Sequence, residues 1–506
     1  MKRSLRIVFT SDIHGHMFPT NYISPAEKPM GLFSLAADYN KDGNTLVIDG
    51  GDTLQGSPFS YFAAHEGHVD VIAQALNEAG YDYVVPGNHD FNYGHGAMKT
   101  YFSALQAKCL AANVSDNRGE IPFAASAVHT LENGLRVGLV GVVTDWVNKW
   151  EKKENIKDFS VTDTLSGAKR AYEEIRGKCD VSVCIYHGGV ERNLETGEIQ
   201  QTSGENIACK IIDEIPFDIM LTSHQHIAME NLFWKNTHIC QNPPNGTHFA
   251  LVSWQEGGKA ESRLIPAKAT KNAPENAIET EKLVQKWLDT PISELSCDML
   301  PEEPIRMALH SSPIANLFNR VQLLVSGSDL SSTSLANEVR GFHKTVTVRD
   351  VVSTYIYPNT LTELKITGKE LKLMLETCAS YFDIDENGKI SVSDAFLTPK
   401  VAHYNYDFIA GVQYAFDITR PVGSRVIEIT RNGEAVKNED TFTMCVNNYR
   451  ATGVGGYEFL ADCPHTKEIL TEMSEILLDF FRTNPYVEAD FESAYKVYAG
   501  NALVSE

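Results

Sequence analysis

The chain has 506 residues, 43% of them hydrophobic, so it is too long for one ordinary core and apolar enough to fill two or three. It has 44 Lys and Arg residues against 66 Asp and Glu residues, a formal net charge of -22 at pH 7. This acidic balance argues against a nucleic-acid polymer or an anionic membrane as a partner. A small phosphate substrate would need local positive charge, which bound metal ions can supply.

The N-terminus has only a short apolar run, residues 5–9, before Asp12. This run predicts a strand and not a signal peptide, whose apolar core needs about 7 to 15 residues. No stretch approaches the roughly 20 apolar residues of a membrane span. The nine cysteines are scattered, and Cys184 and Cys445 lie in apolar runs, a pattern typical of buried, reduced thiols. We therefore expect a cytoplasmic protein without a membrane partner, and the oligomeric state stays open.

Up to about residue 268, short apolar runs alternate with helical stretches, which is the βαβ pattern. The runs are residues 5–9, 45–48, 83–85, 137–143, 181–186 and 217–221. Five of the six end in a polar cluster, and these clusters are Asp12-Ile13-His14, Gly51-Asp52, Gly87-Asn88-His89-Asp90, His187-Gly188-Gly189 and Ser223-His224-Gln225-His226. Ligands bind at the carboxyl ends of strands in open α/β sheets, so the clusters predict a site there.

Each cluster alone also has an ordinary structural explanation. The turn at Asn88 could be a surface Asx turn, and Asp12 or Asp52 could cap a helix. A single histidine such as His187 is more often a hydrogen-bonded core residue than a ligand. Five clusters at the same end of successive strands together favour a metal site.

The candidate ligands supply two carboxylates, four imidazoles and one amide oxygen, from Asp12, His14, Asp52, Asn88, His187, His224 and His226. This set is sufficient for two divalent cations that share one bridging carboxylate. Two cations about 3.5 to 4 Å apart clamp a phosphoryl group and activate a water molecule. Nitrogen and oxygen ligands without thiolate suit Mn, Fe, Zn or Co, and the sequence does not choose among them.

The ordered motifs resemble those of the calcineurin-like metallophosphoesterases over about the first half of the chain. The resemblance implies that Asp12, His14 and His226 bind one metal, that Asn88, His187 and His224 bind the other, and that Asp52 bridges them. It also implies that His89 stabilises the transferring phosphoryl group or protonates the leaving oxygen. Asn92 completes the catalytic set; many 5'-nucleotidases have Asp at this position, and the related cyclic phosphodiesterases have Asn.

A polar stretch and then an amphipathic helical pattern connect the two halves of the chain. We predict a dimetal domain over 1–270, a linker and connecting helix over 271–292, and a C-terminal substrate-specificity domain over 293–506. The fold class is α/β, with a four-layer N-terminal α/β domain and a C-terminal α+β domain. In the second half, Thr367 and Glu370 form a possible capping box for a helix over 368–381.

Three motifs of the second half, at 355–361, 404–407 and 447–453, resemble the C-terminal domain of the 5'-nucleotidase group. The resemblance is strongest to the 2',3'-cyclic-nucleotide 2'-phosphodiesterase/3'-nucleotidases. It implies that Tyr357 and Tyr449 sandwich the base, although Tyr357 could also be a core aromatic beside Pro358. The residues implied to shape the same pocket are Arg450, Ala451, Thr452, Gly453, Val454 and Gly455.

We therefore expect dimetal hydrolysis of nucleotide phosphate esters, with 2',3'-cyclic and 3'-nucleotides as the favoured substrates. The alternatives are a 5'-nucleotidase, a catalytically dead nucleotide-binding protein, and a hydrolase of another phosphate or sulfur ester. One motif lies outside this scheme. Asp383, Asp385, Asn387, Gly388 and Asp394 fit the start of an EF-hand loop. A poor exit helix favours a plain turn there over a calcium site.

Overall fold

The apolar runs of the first half form strands where the sequence predicts them. The structure, a computed structural model, describes residues 2–23, 26–201, 204–270, 272–357, 359–384, 389–398 and 401–504. The chain divides into two units, Met1–Trp287 and Leu288–Glu506.

The N-terminal unit alternates strands and helices. Its strands are β1 (Ser4–Thr10), β2 (Thr45–Asp49), β3 (Tyr83–Val84), β4 (Lys108–Cys109), β5 (Val114–Asp116), β6 (Ser126–Thr130), β7 (Arg136–Val143), β8 (Phe159–Val161), β9 (Val181–His187), β10 (Ile219–Thr222), β11 (Met229–Trp234), β12 (Thr237–Gln241), β13 (His248–Gln255) and β14 (Glu261–Pro266). Its helices are α1 (Leu32–Ala36), α2 (Pro58–Glu66), α3 (Val69–Glu78), α4 (Gly94–Ala104), α5 (Val147–Trp150), α6 (Lys153–Ile156), α7 (Thr164–Ile175), α8 (Ala208–Glu214) and α9 (Glu275–Leu288), which crosses the limit of the unit; a 3-10 turn covers His89–Phe91.

Two six-stranded sheets carry this unit. The first has the order β14-β13-β1-β2-β3-β4, with β1 to β4 parallel, and the second has the order β11-β12-β10-β9-β7-β6, with β12, β10, β9 and β7 parallel. Parallel strands are joined by crossovers, so their carboxyl ends face one edge of each sheet.

Alternation along the strands explains the layers. Ile7 and Ile48 of the first sheet share one buried cluster with Leu139 and Val183 of the second, so the sheets pack face to face. The neighbouring side chains in β7 and β9 point the opposite way and pack against α7 and α8. Strands buried on both faces therefore read as continuous apolar runs in the sequence.

The C-terminal unit is built on antiparallel and mixed sheets. Its strands are β15 (Pro291–Leu295), β16 (Leu330–Ser334), β17 (Thr345–Thr347), β18 (Leu361–Thr367), β19 (Phe382–Ile384), β20 (Ile390–Val392), β21 (Asp407–Ala410), β22 (Gln413–Asp417), β23 (Val426–Arg431), β24 (Glu434–Ala435), β25 (Thr441–Asn447), β26 (His465–Ile469), β27 (Tyr486–Val487), β28 (Tyr495–Ala499) and β29 (Ala502–Leu503). Its helices are α10 (Pro304–His310), α11 (Pro313–Ser326), α12 (Val348–Thr354), α13 (Gly368–Ala379), α14 (Asn448–Ala451) and α15 (Met473–Thr483), with 3-10 turns at Asp394–Phe396, His403–Asn405 and Glu458–Leu460.

Two five-stranded sheets dominate this unit. Their orders are β21-β16-β25-β18-β26 and β24-β23-β22-β28-β29. The predicted capping box of α13 is present, because Thr367 and Glu370 satisfy each other's backbone N–H groups. The predicted fold class, an α/β unit followed by a second unit of mixed helices and strands, is confirmed. The domain limits at 270 and 293 stay predictions.

The EF-hand-like segment falls partly on residues 385–388, which lie outside the described residues. On either side, β19 and β20 pair as an antiparallel hairpin, with Phe382 opposite Val392. Asp383 therefore belongs to a strand and does not end a helix, which favours the turn interpretation. Among the described residues, no helix is both long and apolar enough to cross a membrane.

Candidate metal centre

The predicted ligands follow strands of both sheets of the N-terminal unit. Asp12 and His14 follow β1, Asp52 follows β2, Asn88 follows β3, His187 ends β9, and His224 and His226 follow β10. Two hydrogen bonds join the loops after β1 and β2, from the Asp12 N–H to the Gly51 carbonyl and from the His14 N–H to the Asp52 carbonyl, each 2.8 Å. The face-to-face packing of the sheets therefore brings distant segments to one place.

The structure brings the ligands together in two groups. Suitable ligand atoms of Asp12, His14 and His226 lie within 4.8 Å of one another, and so do those of Asp52, His187 and His224. Asn88 joins the second group, because its Oδ1 lies 3.1 Å from Nε2 of His187. Two adjacent groups with mixed nitrogen and oxygen donors are the arrangement that a two-metal site requires.

Five of these residues adopt left-handed backbone angles that side chains rarely favour. The φ values are 54° for Asp12, 50° for His14, 58° for Asp52, 73° for His224 and 59° for His226. Such strained positions occur where the surrounding structure holds a functional side chain in place. Here the strain turns the side chains toward a common point at the ends of the strands.

Backbone carbonyl groups orient two of the imidazoles. Nδ1 of His14 donates to the Gln55 carbonyl at 2.9 Å, and Nδ1 of His187 donates to the Gly50 carbonyl at 2.7 Å. This leaves Nε2 of each ring for a metal. Nε2 of His14 lies only 2.9 Å from Nε2 of His226.

The electrostatics of the first group suit a cation. Burial lowers the pKa of His14 and of His226 to about 4, so both rings are neutral at pH 7 and have a lone pair to offer. Oδ2 of Asp12 is buried and has no hydrogen-bond partner among the described residues, and burial raises the pKa of this carboxyl group. An unpartnered buried carboxylate oxygen is costly in a protein unless a cation compensates it.

The second group is centred on Asp52. Burial lowers the pKa of His187, but Asp52, whose Oδ2 is 3.2 Å from Nε2 of His187, together with Asp12 and the Gly50 carbonyl raises it to about 9. Burial acts to raise the pKa of Asp52, and the nearby histidines hold it well below its usual value. A divalent cation could take the place of the Nε2 proton between these groups, so the residues present fit such a cation.

Asp90 fixes the loops that carry Asp52 and Asn88. Its Oδ1 accepts the N–H groups of Thr53 and Leu54 at 2.9 and 2.8 Å. Its Oδ2 accepts the N–H groups of Gly87 and Asp52 at 2.7 and 3.1 Å. Because all four bonds are to backbone, Asp90 holds the two loops in register and is not itself available to a metal.

His89 lies beside both groups. Its N–H donates to Oδ1 of Asp52 at 2.7 Å, and its ring centroid is 5.4 Å from that of His14. Its Nδ1 is 2.8 Å from Oδ1 of Asn92. The two predicted catalytic residues therefore form one hydrogen-bonded pair at the edge of the predicted metal ligands.

Sequence reasoning missed three residues next to these side chains. Oε1 of Glu205 is 2.8 Å from Nε2 of His224, and the Trp150 ring stacks on His224 with a centroid distance of 5.3 Å. Glu151 contacts Asn92. None of the three lies at the end of an apolar run, so no local pattern indicates them.

In the C-terminal unit, the structure places the predicted base-binding tyrosines on adjoining segments of the chain. Tyr357 lies between α12 and β18, Tyr449 lies in α14, and the Asn448 N–H donates to the Thr360 carbonyl at 3.0 Å. Tyr449 is 42% exposed and Tyr357 is half-buried. The Tyr357 ring packs edge-on against Tyr404, a contact that the sequence analysis did not predict.

The other predicted pocket residues follow Tyr449 along the chain. Arg450 is buried, with Nη2 and Nε at 2.7 and 2.9 Å from the Asp407 carboxylate and Nη1 donating to the Val454 carbonyl at 2.7 Å. Arg450 therefore links the backbone at Val454 to the buried Asp407. Ala451 and Gly453 are buried, Thr452 and Val454 are exposed, and Gly455 is half-buried.

Comparison with known proteins agrees with both units. The calcineurin-like phosphoesterase family matches residues 5–228, and the C-terminal domain family of 5'-nucleotidases matches residues 301–462. The solved "Putative 5'-Nucleotidase from Staphylococcus aureus" is 32% identical, with a TM-score of 0.70, over 98% of this chain and 100% of that one. The chain belongs to the calcineurin-like phosphoesterases of the 5'-nucleotidase group. Members of this family hydrolyse phosphate esters at a dinuclear metal centre.

Curated relatives of this phosphoesterase carry several activities in their names. The 2',3'-cyclic-nucleotide 2'-phosphodiesterase/3'-nucleotidase of Salmonella typhimurium is 26% identical over 89% of this chain and 81% of its own length. The trifunctional nucleotide phosphoesterase YfkN of Bacillus subtilis is 23% identical over 94% of this chain, which spans only 38% of that protein.

Proposed function

We propose that this phosphoesterase hydrolyses nucleotide phosphate esters, and that 2',3'-cyclic and 3'-nucleotides are its preferred substrates. The observation that carries the proposal is the pair of ligand groups beside His89 at the ends of the strands. In this proposal the N-terminal unit performs the hydrolysis and the C-terminal unit recognises the base.

In this proposal each group of residues would hold one metal. Asp12, His14 and His226 would hold one divalent cation, Asn88, His187 and His224 would hold the other, and Asp52 would be shared between them. When bound, the two cations neutralise charge on the phosphoryl group and lower the pKa of the attacking water. The donors suit Mn, Fe, Zn or Co.

In this proposal His89 and Asn92 control proton transfer to the substrate. Nδ1 of His89 is held by Asn92, which leaves Nε2 for the substrate. From Nε2, His89 donates to a phosphoryl oxygen or protonates the leaving oxygen of the ester. Its backbone bond to Asp52 keeps this ring in register with the metal ligands.

The tyrosines supply affinity for the base. Tyr357 and Tyr449 each offer a ring face, and stacking on a base is worth about 1 to 3 kcal/mol and tolerates different bases. Arg450, buried against Asp407, and the residues that follow it through Gly455 shape the same pocket in this proposal.

The observations on substrate preference favour different alternatives. Asn92 and the name of the Salmonella relative support 2',3'-cyclic and 3'-nucleotides. The 32% identity to the Staphylococcus aureus protein supports 5'-nucleotides instead. Both readings keep the same metal ligands and the same tyrosines.

A substrate screen separates these readings. With the base held by tyrosines and the phosphorus by metals, the ribose decides which ester oxygen reaches the metals. We expect kcat/KM for 2',3'-cyclic AMP and 3'-AMP to exceed that for 5'-AMP by about tenfold or more, because misplacement by about 1 Å can cost a hundredfold. The measurement is phosphate or product release by protein loaded separately with Mn, Fe, Zn and Co. Equal or higher activity on 5'-AMP moves the protein to the 5'-nucleotidase alternative.

Tyrosine substitutions test whether the substrate is a nucleotide at all. We expect Tyr357→Ala and Tyr449→Ala each to raise KM for a nucleotide about 5- to 150-fold, since each removes one stacking contact of about 1 to 3 kcal/mol. The control substrate is 4-nitrophenyl phosphate, which has no base to stack and should keep its KM. If both variants leave nucleotide KM unchanged, the substrate is another phosphate or sulfur ester.

The remaining alternative is a dead nucleotide-binding protein. It requires that no nucleotide is hydrolysed by wild-type protein under any of the four metals while nucleotide binding persists. All seven predicted ligands have side chains capable of metal binding and lie in the two groups described, which argues against this alternative.

A further inference from the structure

A buried carboxylate, that of Glu151, is hydrogen-bonded to the side of Asn92 that faces away from His89. Nδ2 of Asn92 donates to Oε2 of Glu151 at 2.5 Å, and the other end of the same amide, Oδ1, is 2.8 Å from Nδ1 of His89. Glu151 is 59 residues away from Asn92 in the chain and is only 8% exposed. The three side chains form a continuous hydrogen-bonded row that ends at the metal ligands.

We propose that Glu151 is a positioning residue, which sets the direction of the Asn92 amide and thereby the tautomer of His89. An amide is nearly symmetric in shape, so Asn92 alone could present either its oxygen or its NH₂ group to the imidazole. A carboxylate only accepts hydrogen bonds. Glu151 therefore requires Nδ2 of Asn92 on its side, which places Oδ1 against His89.

The direction of the amide decides which ring nitrogen of His89 carries hydrogen. Oδ1 of Asn92 accepts and cannot donate, so Nδ1 of His89 must be the donor of that bond. With Nδ1–H fixed, Nε2 is the ring nitrogen that exchanges a proton with the substrate. If the Asn92 amide were rotated by about 180°, its NH₂ group would donate to Nδ1 of His89 and would favour an Nδ1 without hydrogen. The ring would then keep its hydrogen on Nε2, the nitrogen that must release a proton to the substrate.

The surrounding contacts hold Glu151 firmly enough for this role. Its Oε1 accepts the Lys152 N–H at 2.6 Å and Nδ2 of Asn155 at 2.9 Å. Nδ2 of Asn155 also donates to the Asn92 carbonyl at 2.8 Å. Asn155 therefore holds the Glu151 carboxylate and the Asn92 backbone together. Trp150, next to Glu151, stacks on His224, a predicted ligand.

The proposal rests on the proposed function for its chemical consequence. The attacking water forms the new P–O bond and gives one proton to solvent. The bond from phosphorus to the leaving oxygen breaks with its electron pair on that oxygen, which takes the Nε2 proton of a His89 ring that enters the step with hydrogen on both nitrogens and regains one from solvent afterwards. The ring is left neutral with its hydrogen on Nδ1, the state that Asn92 and Glu151 stabilise.

The test compares Glu151→Gln with two other variants of metal-loaded protein. Gln keeps the shape of Glu151 but can present either an NH₂ group or an oxygen, so the direction of Asn92 is no longer set. Asn92→Asp combined with Glu151→Gln should restore it, because Asp accepts from His89 by itself and can accept from the new amide. Glu154→Gln, at an exposed position of α6, is the matched control because it removes the same charge from the same segment.

The kinetic readout uses the leaving group. General acid catalysis contributes about 10² to 10⁴ in rate, so loss of the right tautomer should lower kcat on 3'-AMP about tenfold or more. The effect on 4-nitrophenyl phosphate should be several-fold smaller, since nitrophenolate leaves without a proton. Glu154→Gln should behave as wild type, and the double variant should recover most of kcat. A merely structural role of Glu151 would lower kcat on both substrates alike and would not be rescued.

Nitrogen-15 NMR of the Zn-loaded protein gives a second readout that needs no turnover. The ring signals of His89, assigned by their loss in His89→Gln, should show hydrogen on Nδ1 in wild type and a mixture or the reverse in Glu151→Gln. Hydrogen on Nε2 alone in neutral wild-type His89 would overturn the proposal even if Glu151→Gln does not fold. Wild-type turnover with an unchanged Glu151→Gln variant would overturn it too and leave the proposed function standing. Absence of wild-type turnover would count against the proposed function, and the NMR result would still decide the role of Glu151.

Discussion

Asp52→Asn is expected to lower kcat about a thousandfold or more and to reduce bound metal from two ions per chain to one or none. The substitution removes the carboxylate that faces both His89 and the second ligand group, where Oδ1 accepts the His89 N–H at 2.7 Å and Oδ2 is 3.2 Å from His187. A dinuclear centre supplies several kcal/mol of transition-state stabilisation, and each 1.36 kcal/mol is tenfold in rate. The measurements are elemental analysis after gel filtration and kcat on 3'-AMP.

The control for this prediction separates charge from ligation. Asp158→Asn removes a surface carboxylate that pairs with Arg118 at 2.6 Å, and it should leave both metals and kcat unchanged. Adenosine should bind Asp52→Asn about as tightly as wild type, because the tyrosines belong to the other unit. A variant with two metals and near-normal kcat would show that Asp52 is not a shared ligand.

The strands and their polar ends could be predicted because both signals are local. A strand buried on both faces, such as β9, is a continuous apolar run, and the point where it stops is visible in the sequence. Strand β11 was not predicted, since it is half-exposed and has neither a clean alternation nor an apolar run.

The side chains that the structure brings together at the strand ends could be predicted as a set, and the residues that hold them in place could not. Asp52 follows a recognisable strand and His187 ends one, whereas Glu151 meets Asn92 across 59 residues through one side-chain bond. Nothing in the sequence around the buried Glu151 distinguishes it from the acidic residues of the surface. The environment of Arg450 was also not predictable, because its partner Asp407 is 43 residues away in the chain. Arg450, a predicted pocket residue, forms a buried ion pair with it.

Close approach of backbone to ligands is another feature that a sequence hides. The sequence predicts that Gly87 ends a strand. In the structure, the Gly87 backbone also packs directly against Asp52. A Cβ atom at Gly87 would lie 2.1 Å from Oδ1 of Asp52, 2.3 Å from its backbone nitrogen and 2.6 Å from Cε1 of His187. One of these groups must shift if a side chain is present, and none of them is the end of a flexible chain.

Gly87→Ala is therefore expected to disable the centre without removing any ligand. Displacing Asp52 or His187 by about 1 Å costs about a hundredfold in rate, and we expect kcat to fall by at least that much together with weaker binding of the second metal. The measurements are kcat on 3'-AMP, metal content after gel filtration and the thermal unfolding temperature. Gly96→Ala is the matched control, because Gly96 lies in α4 with no heavy atom within 4 Å of the added Cβ. The control should keep full activity and gain about 0.5 to 1 kcal/mol in stability, the helix preference of Ala over Gly. If Gly87→Ala retains both metals and normal kcat, the loop carrying Asn88 has room to move, and the ligands are not held by the close approach described above.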